Sequence, residues 1–141
     1  MKLLPIKGFD AYSEAYKEGK KFELSTAKAS VTFRMPNEVL FERQNNDDNV
    51  YYGVTIGKKT AKRAVIRNRV KRLLRESLRK SIKIDIRNGE ICPFLKIIII
   101  WKRTPLHPKL ISLKDVLPVV QNIVKNAVSY YNNQQKSRLS Y

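Results

Sequence analysis

"KKTAKRAVIRNRVKRLLRESLRK", Lys58 to Lys80, carries eleven Lys and Arg residues against the single Glu76, and no Pro or Gly interrupts it. Its periodicity predicts a helix from about Ala61 to Ile82 or beyond. With Ala61 at zero and 100° per residue, Ile66, Val70, Leu73, Leu74 and Ser77 fall between roughly 120° and 220°, a stripe fit for a core. Arg67, Asn68, Lys71, Arg72, Arg75 and Arg79 fall between roughly 240° and 20°, and Ala61 and Ala64 lie on that side too. Small side chains there leave room for a bulky partner to approach the backbone. Ordinary exposed helices mix Glu with Lys at i,i+4, whereas this one offers Arg72–Glu76 and Glu76–Lys80. The like-charged pairs Arg67–Lys71, Lys71–Arg75 and Arg75–Arg79 each cost about 0.2–0.5 kcal/mol without a partner. The outer face therefore reads as a surface for a polyanion. Arginine grips phosphate oxygens with a planar fork and stacks on bases, which suits folded RNA better than lipid headgroups. A membrane-surface helix would spend its apolar face on lipid, and here the core needs it.

The rest of the chain agrees with that charge. Of 141 residues, 29 are Lys or Arg and 12 are Asp or Glu, a formal +17. Such a balance attracts polyanions, nucleic acid first and an anionic membrane surface second. The length suits one domain, with a core over about residues 5–131, and 43% hydrophobic residues supply that core. Cys92 and His107 are each the only one of their kind, which excludes an intrachain disulfide and a multi-cysteine zinc site. Both read as structural rather than catalytic. The twelve acids are scattered, with no spacing that would hold two metal ions and no acid–base pair. The N-terminus turns charged too soon for a signal peptide. The longest apolar run, "FLKIIIIW", is far short of the ~20 residues that span a bilayer. A soluble, cytoplasmic protein is the expectation.

Along the chain, Ile6, Phe9, Tyr12, Ala15 and Tyr16 recur at helical spacing before Gly19, predicting a helix over 7–18. "KASVTFRM" (28–35) alternates as a strand, "EVLFE" (38–42) extends it or forms a second, and "VYYGVTIG" (50–57) returns after the polar turn 43–49. "FLKIIIIW" (94–101) is apolar enough for a central strand covered on both faces. Ser112 and Asp115 form a capping box that opens a last helix through Tyr131. Leu113, Val116, Leu117, Val120, Ile123, Val124 and Ala127 form its stripe, with a kink or later start at Pro118. Residues 132–141 read as a frayed tail. The order α-β-β-β-α-β-α, or one strand fewer, describes an α+β two-layer sandwich with about four strands.

The residues now carry a resemblance. "KRAVIRNRVKRLLRESLRK" closely resembles the signature A-V-x-R-N-R-x-K-R-x-x-R-E of the bacterial ribonuclease P protein subunit, matched by Ala64, Val65, Arg67, Asn68, Arg69, Lys71, Arg72, Arg75 and Glu76. "GFDAYSEAYKEGKKF" looks like the family's opening helix, with Tyr12 and Tyr16 where its aromatic pair stands. "GVTIGKKTAKRAV" looks like the strand and turn before the basic helix, although many members have S-[KR]-K-x-G and one residue fewer there. The loop 43–49 and the tail carry no family signal. The resemblance implies a mixed sheet with parallel central strands joined through the basic helix by a left-handed crossover, the fold of the second domain of a small-subunit ribosomal protein.

It also implies a function. Ribonuclease P removes the 5′ leader of precursor tRNA, with catalysis on an RNA subunit and Mg²⁺ positioned mainly by RNA. No catalytic residue, metal site or cofactor is then expected on the protein. Lys58, Lys59, Lys62, Arg63, Arg67, Asn68, Arg69, Lys71, Arg72, Arg75 and Arg79 are the expected contacts to RNA. Tyr12, Tyr16 and Phe33 are the expected wall of a leader cleft, where bases stack on rings for about 1–3 kcal/mol each. The partners are the catalytic RNA and precursor tRNA, not DNA or membrane, and the protein is monomeric apart from RNA. Two other readings stay open. A plain RNA-binding module would bind tRNA equally with and without a leader. A protein-only nuclease would cleave unaided and depend on a few carboxylates.

Overall fold

A computed structural model of the chain describes residues 2–34, 49–57, 61–86, 92–105 and 107–139. In chain order its elements are β1 (Leu3–Pro5), α1 (Phe9–Glu18), β2 (Lys20–Glu23), β3 (Ala27–Phe33), β4 (Val50–Ile56), α2 (Ala64–Asp85) and β5 (Phe94–Trp101), then a 3-10 turn (Pro108–Leu110) and α3 (Leu113–Leu139). The strands form one sheet in the order β1-β4-β5-β3-β2. β4 and β5 are parallel neighbours joined through α2, and β3 runs antiparallel to β5. The expected α+β class, mixed sheet and parallel central pair are all present.

The sheet has five described strands rather than about four. β1 is three residues long, too short to show alternation, and is held by parallel pairing of Leu3 to Val50 and Leu4 to Tyr51. β2 is "KKFE", a mostly charged strand that among the described residues pairs with β3 alone and forms an edge of the sheet. Pro5 on one edge and Lys20 and Lys21 on the other suit strands that must not recruit further partners. The expected segment 38–42 and residues 43–48 of the turn lie outside the described residues.

α2 and α3 cover one face of the sheet. On α2, Ile66, Val70, Leu73, Leu74, Leu78 and Ile82 are all buried, and Ser77 and Ser81 are buried with them. In the stripe of α3, Val116, Val120, Ile123, Val124 and Ala127 are fully buried, and Leu113 and Leu117 are half-buried. Each such aliphatic side chain contributes about 1.5–3 kcal/mol relative to exposure. α2 begins at Ala64, so Ala61 falls in the preceding turn and is buried in the core, not displayed on the basic face. That corrects the helical-wheel placement of Ala61, which assumed an earlier start.

The Ser112–Asp115 capping box forms as expected: the Ser112 backbone N–H and Oγ both donate to Asp115 Oδ2, at 2.9 and 3.2 Å. α3 starts at Leu113 and continues through Pro118, which early in a helix sacrifices only one backbone bond. It also runs past Tyr131 to Leu139, through the segment expected to fray. No Gly or Pro occurs between Tyr131 and Leu139. Just before it, Tyr130 and Tyr131 pack their rings 5.6 and 5.7 Å from that of Phe33 and tie the helix down.

Candidate nucleic-acid interface

The outward side of α2 is the first surface of interest. Lys62, Arg63, Asn68, Arg72, Arg75 and Arg79 are exposed, and Lys71 is half-buried. Among the described residues the ion pair on this face is Glu76–Lys80, at 3.8 Å. The N-terminus of α2 has no side-chain cap and no acid in its first turn. A helix leaves backbone N–H groups and partial positive charge at that end, which acidic caps usually offset. Here Arg63 and Arg67 add to it instead. The arrangement disfavours the isolated protein and favours an anion such as phosphate.

Two arginines have internal partners. Arg67 Nη1 donates to the carbonyls of Ala61 and Lys62, at 3.0 and 2.7 Å, and fixes the turn into the helix. Arg69 is half-buried, and its Nη2 donates to the Ile111 carbonyl at 3.3 Å, bracing α2 against the segment before α3. Lys58 and Lys59 lie outside the described residues.

The second surface is the other face of the sheet, crossed by α1. Its residues stand in rows across neighbouring strands: Leu4, Tyr51, Lys96 and Thr32; then Gly53, Ile98, Ser30 and Lys21; then Thr55, Ile100, Lys28 and Glu23. α1 seats on the middle row. Ser30 Oγ donates to the Tyr16 carbonyl at 2.8 Å, and Lys21 Nζ donates to the same carbonyl. Two glycines permit the close approach. A Cβ on Gly19 would stand 2.1 Å from Ser30 Oγ, and one on Gly53 would stand 2.5 Å from Tyr12 Cε2. The φ of Gly19 is −74°, so that position needs a missing side chain rather than an unusual backbone.

Tyr12 therefore lies on the floor of the sheet. Its hydroxyl is buried, with no hydrogen-bond partner among the described residues. Burial, with a smaller effect from the charge of Tyr16, pushes its pKa up to about 12. Tyr16 looks toward the third row, with Lys21 Nζ 4.4 Å and Lys28 Nζ 5.8 Å from its ring centroid. An aromatic ring framed by ammonium groups suits a base with its phosphate. The third row adjoins the end of β4 from which the chain turns toward α2.

Phe33 does not join them. It packs against Phe22, Phe94, Tyr130 and Tyr131, with centroids between 5.6 and 6.5 Å, on the face under α3. Strand alternation puts Phe33 with the buried Ala29 and Val31, so it is a core residue and not a wall of the α1 cleft. Sequence reasoning in turn missed Tyr51 and Lys96, which face α1. Lys96 carried a signal, as the one charge inside "FLKIIIIW".

The lone histidine and cysteine have structural surroundings. His107 Nδ1 accepts from the Lys109 backbone N–H at 3.1 Å, and Cys92 is buried. Among the described residues no three His, Cys, Asp or Glu side chains gather where they could hold a metal ion, and no helix is long and apolar enough to cross a membrane.

Comparison with known proteins places these surfaces in a family context. The profile of the Ribonuclease P family matches residues 4–117. A ribonuclease P protein component from Ralstonia pickettii is 44% identical over 73 residues, which are 51% of this chain and 52% of that protein. One from Pseudoalteromonas atlantica is 48% identical over 44 residues, 31% of this chain and 37% of that protein. The alignments thus span about half or less of these relatives. The structure of the Staphylococcus aureus RNase P protein superposes with a TM-score of 0.55 at 18% identity, covering 87% of this chain and 94% of that one. At that identity the likeness establishes the fold.

Proposed function

Because this chain belongs to the ribonuclease P protein family, we propose that it is the protein subunit of a ribonuclease P, which binds the catalytic RNA and the 5′ leader of precursor tRNA. The observation that carries this reading is the cationic outer face of α2, where the like charges have one acid, Glu76, among them. Exposed Lys62, Arg63, Arg72, Arg75 and Arg79 neutralise phosphates of the catalytic RNA, and Asn68 contributes hydrogen bonds. Arg67 and Lys71 border that face, as do Lys58 and Lys59 in sequence. Arg69 acts mainly by holding α2 in position. Tyr12 and Tyr16, with Lys28 beside them, receive the single-stranded leader.

Binding the leader contributes free energy to precursor tRNA and none to mature tRNA, so substrate is favoured over product without any catalytic group on the protein. The described residues do not offer a set of carboxylates for Mg²⁺. In this reading Mg²⁺ serves the holoenzyme at sites on the RNA, while the protein binds and orients. It acts in the cytoplasm as a monomer apart from its RNA.

The test is a cleavage assay. The purified protein alone is expected to leave precursor tRNA intact. With a bacterial ribonuclease P RNA at low Mg²⁺, it is expected to support cleavage at the mature 5′ end. Failure with every bacterial catalytic RNA tried overturns the proposal.

A further inference from the structure

On the Ala11 side of α1, away from Tyr16 and Lys28, the first row of the sheet opens into a hollow of about 530 Å³. That is within the usual size of small-molecule sites, about 300–1,000 Å³. Leu4, Ile6 and Ala11 line it, together with Tyr51, Lys7 and Lys96. Three features of the row are unexplained by packing. Tyr51 is 38% exposed while Val50 and Ile56 of the same strand are buried. Lys96 interrupts an otherwise apolar central strand and, like Lys7, has no carboxylate partner among the described residues. Thr32, the register partner of Lys96 on β3, has a buried hydroxyl with no hydrogen-bond partner among those residues.

Lys96 is half-buried, and a Lys stem packed on the sheet holds its ammonium at the mouth of the hollow, where an anion can share it. Among the described residues the cations at this hollow have no carboxylate partner, which disfavours an apolar protein segment or a lipid tail. An exposed aromatic ring that shares a hollow with ammonium groups suits an unpaired nucleotide, base on the ring and phosphate on a cation. We propose that this hollow is a second nucleotide subsite. One unpaired RNA nucleotide stacks its base on Tyr51 and places its phosphate against Lys96 and Lys7. It is separated by α1 from the Tyr16 surface, so an RNA strand can engage both sides of the helix. The assignment rests on the reading of the chain as an RNA-binding protein.

The experiment uses the full chain and fluorescein-labelled decauridylate, followed by anisotropy over a salt series. Tyr51→Leu is expected to weaken binding about fivefold or more, the loss of one stacked base. Lys96→Gln, at a half-exposed position that keeps its strand, is expected to lower the salt slope by about 0.7, one phosphate neutralised on a single strand. In a 4-thiouridine version of the oligomer, crosslinks are expected on the peptide containing Tyr51. Unchanged affinity and slope in both variants with native circular dichroism, as an apolar occupant would give, overturn the subsite. So do crosslinks confined to the peptide with Tyr12 and Tyr16. The Arg72→Ala, Arg75→Ala variant separates the two readings. If it binds decauridylate more weakly while Tyr51→Leu and Lys96→Gln do not, the subsite alone fails; if none of the variants changes binding, RNA binding by this chain fails too.

Discussion

Alternate residues of the same strands build the two faces of the sheet, and they are filled to opposite degrees. Under α2 and α3, Ala29, Val31, Ile97, Ile99 and Trp101 are buried. Under α1, their neighbours Lys28, Thr32, Lys96 and Ile100 are half-buried, and Tyr51 is exposed. The cover explains the difference. α2 and α3 have 22 and 27 residues, whereas α1 has 10 and spans only ~15 Å. A helix that short covers one row of side chains and leaves a row open on each side. Apolar bulk is thus placed where two long helices exclude water. Lys, Thr and Tyr are placed where one short helix cannot. The first face holds the fold together, and on the second, as on the outside of α2, the described residues leave polar and cationic side chains accessible.

The largest effect expected of that division is on the covered face. Leu74 is fully buried on α2, and Leu74→Ala should destabilise the protein by about 2–5 kcal/mol in urea unfolding. RNA affinity measured under folding conditions should stay the same. A loss below about 1 kcal/mol would mean that α2 does not seat against a packed core.

The face under α1 should respond at one point almost as strongly. A Cβ added at Gly53 meets Tyr12 at 2.5 and 3.0 Å, so Gly53→Ala must displace the ring. Overpacking of this kind costs about 1–3 kcal/mol. In a double-mutant cycle, Tyr12→Ala should remove most of that penalty, because the two changes meet at the same place. Additive costs would show that Tyr12 does not rest on Gly53 and that α1 is seated elsewhere.

These two sites also show what the sequence could and could not convey. The α2 stripe was legible because eight buried positions repeat with helical period, a signal that needs no knowledge of the partner surface. Its starting point was not, and a displacement of three residues moved Ala61 from the core to the wrong face. β1 and β2 were illegible because "LLP" and "KKFE" have no strand pattern of their own and exist through pairing with β4 and β3. Tyr12 and Tyr16 were correctly placed on the helix that crosses the sheet. Phe33 falls on the core face because Ala29, Val31 and Phe33 form one period-two set, and alternation decides the face of a strand residue whatever its type. The same rule read forward would have put Tyr51 and Lys96 opposite the core. What no local pattern could supply is the length of cover above each face, which depends on where helices from distant parts of the chain come to rest.

The outer side of α2 should separate binding from stability. Arg72→Ala and Arg75→Ala remove exposed side chains without a hydrogen bond or ion pair to the rest of the described chain, so unfolding free energies should move by no more than about 0.5 kcal/mol. Affinity for a structured RNA should fall, and the slope of log affinity against log salt should drop by about 0.9 for each phosphate no longer neutralised. If the variants unfold more readily and bind RNA unchanged, the basic face is a structural device and the contrast with the core fails.

The smallest effect tests whether the α1 face is dry where α1 covers it. Burial raises the pKa of Tyr12 from 10.0 to about 12, so the folded protein favours the neutral phenol more than the unfolded chain does. The resulting stability is fully present below pH 10, and it is lost as pH climbs from about 10 through about 12. Tyr12→Phe deletes the titrating group together with a hydroxyl that has no hydrogen-bond partner among the described residues, so at pH 7 it should change stability by less than about 1 kcal/mol. Urea midpoints between pH 8 and pH 11.5 should then fall less steeply in Tyr12→Phe than in the parent. Parallel curves would place the phenol in water, and a wet Tyr12 could not be held on Gly53. Because the phenylalanine keeps the ring, leader binding should survive Tyr12→Phe and weaken in Tyr12→Ala. Loss in both would instead make the hydroxyl, and not the ring, the group on which binding depends.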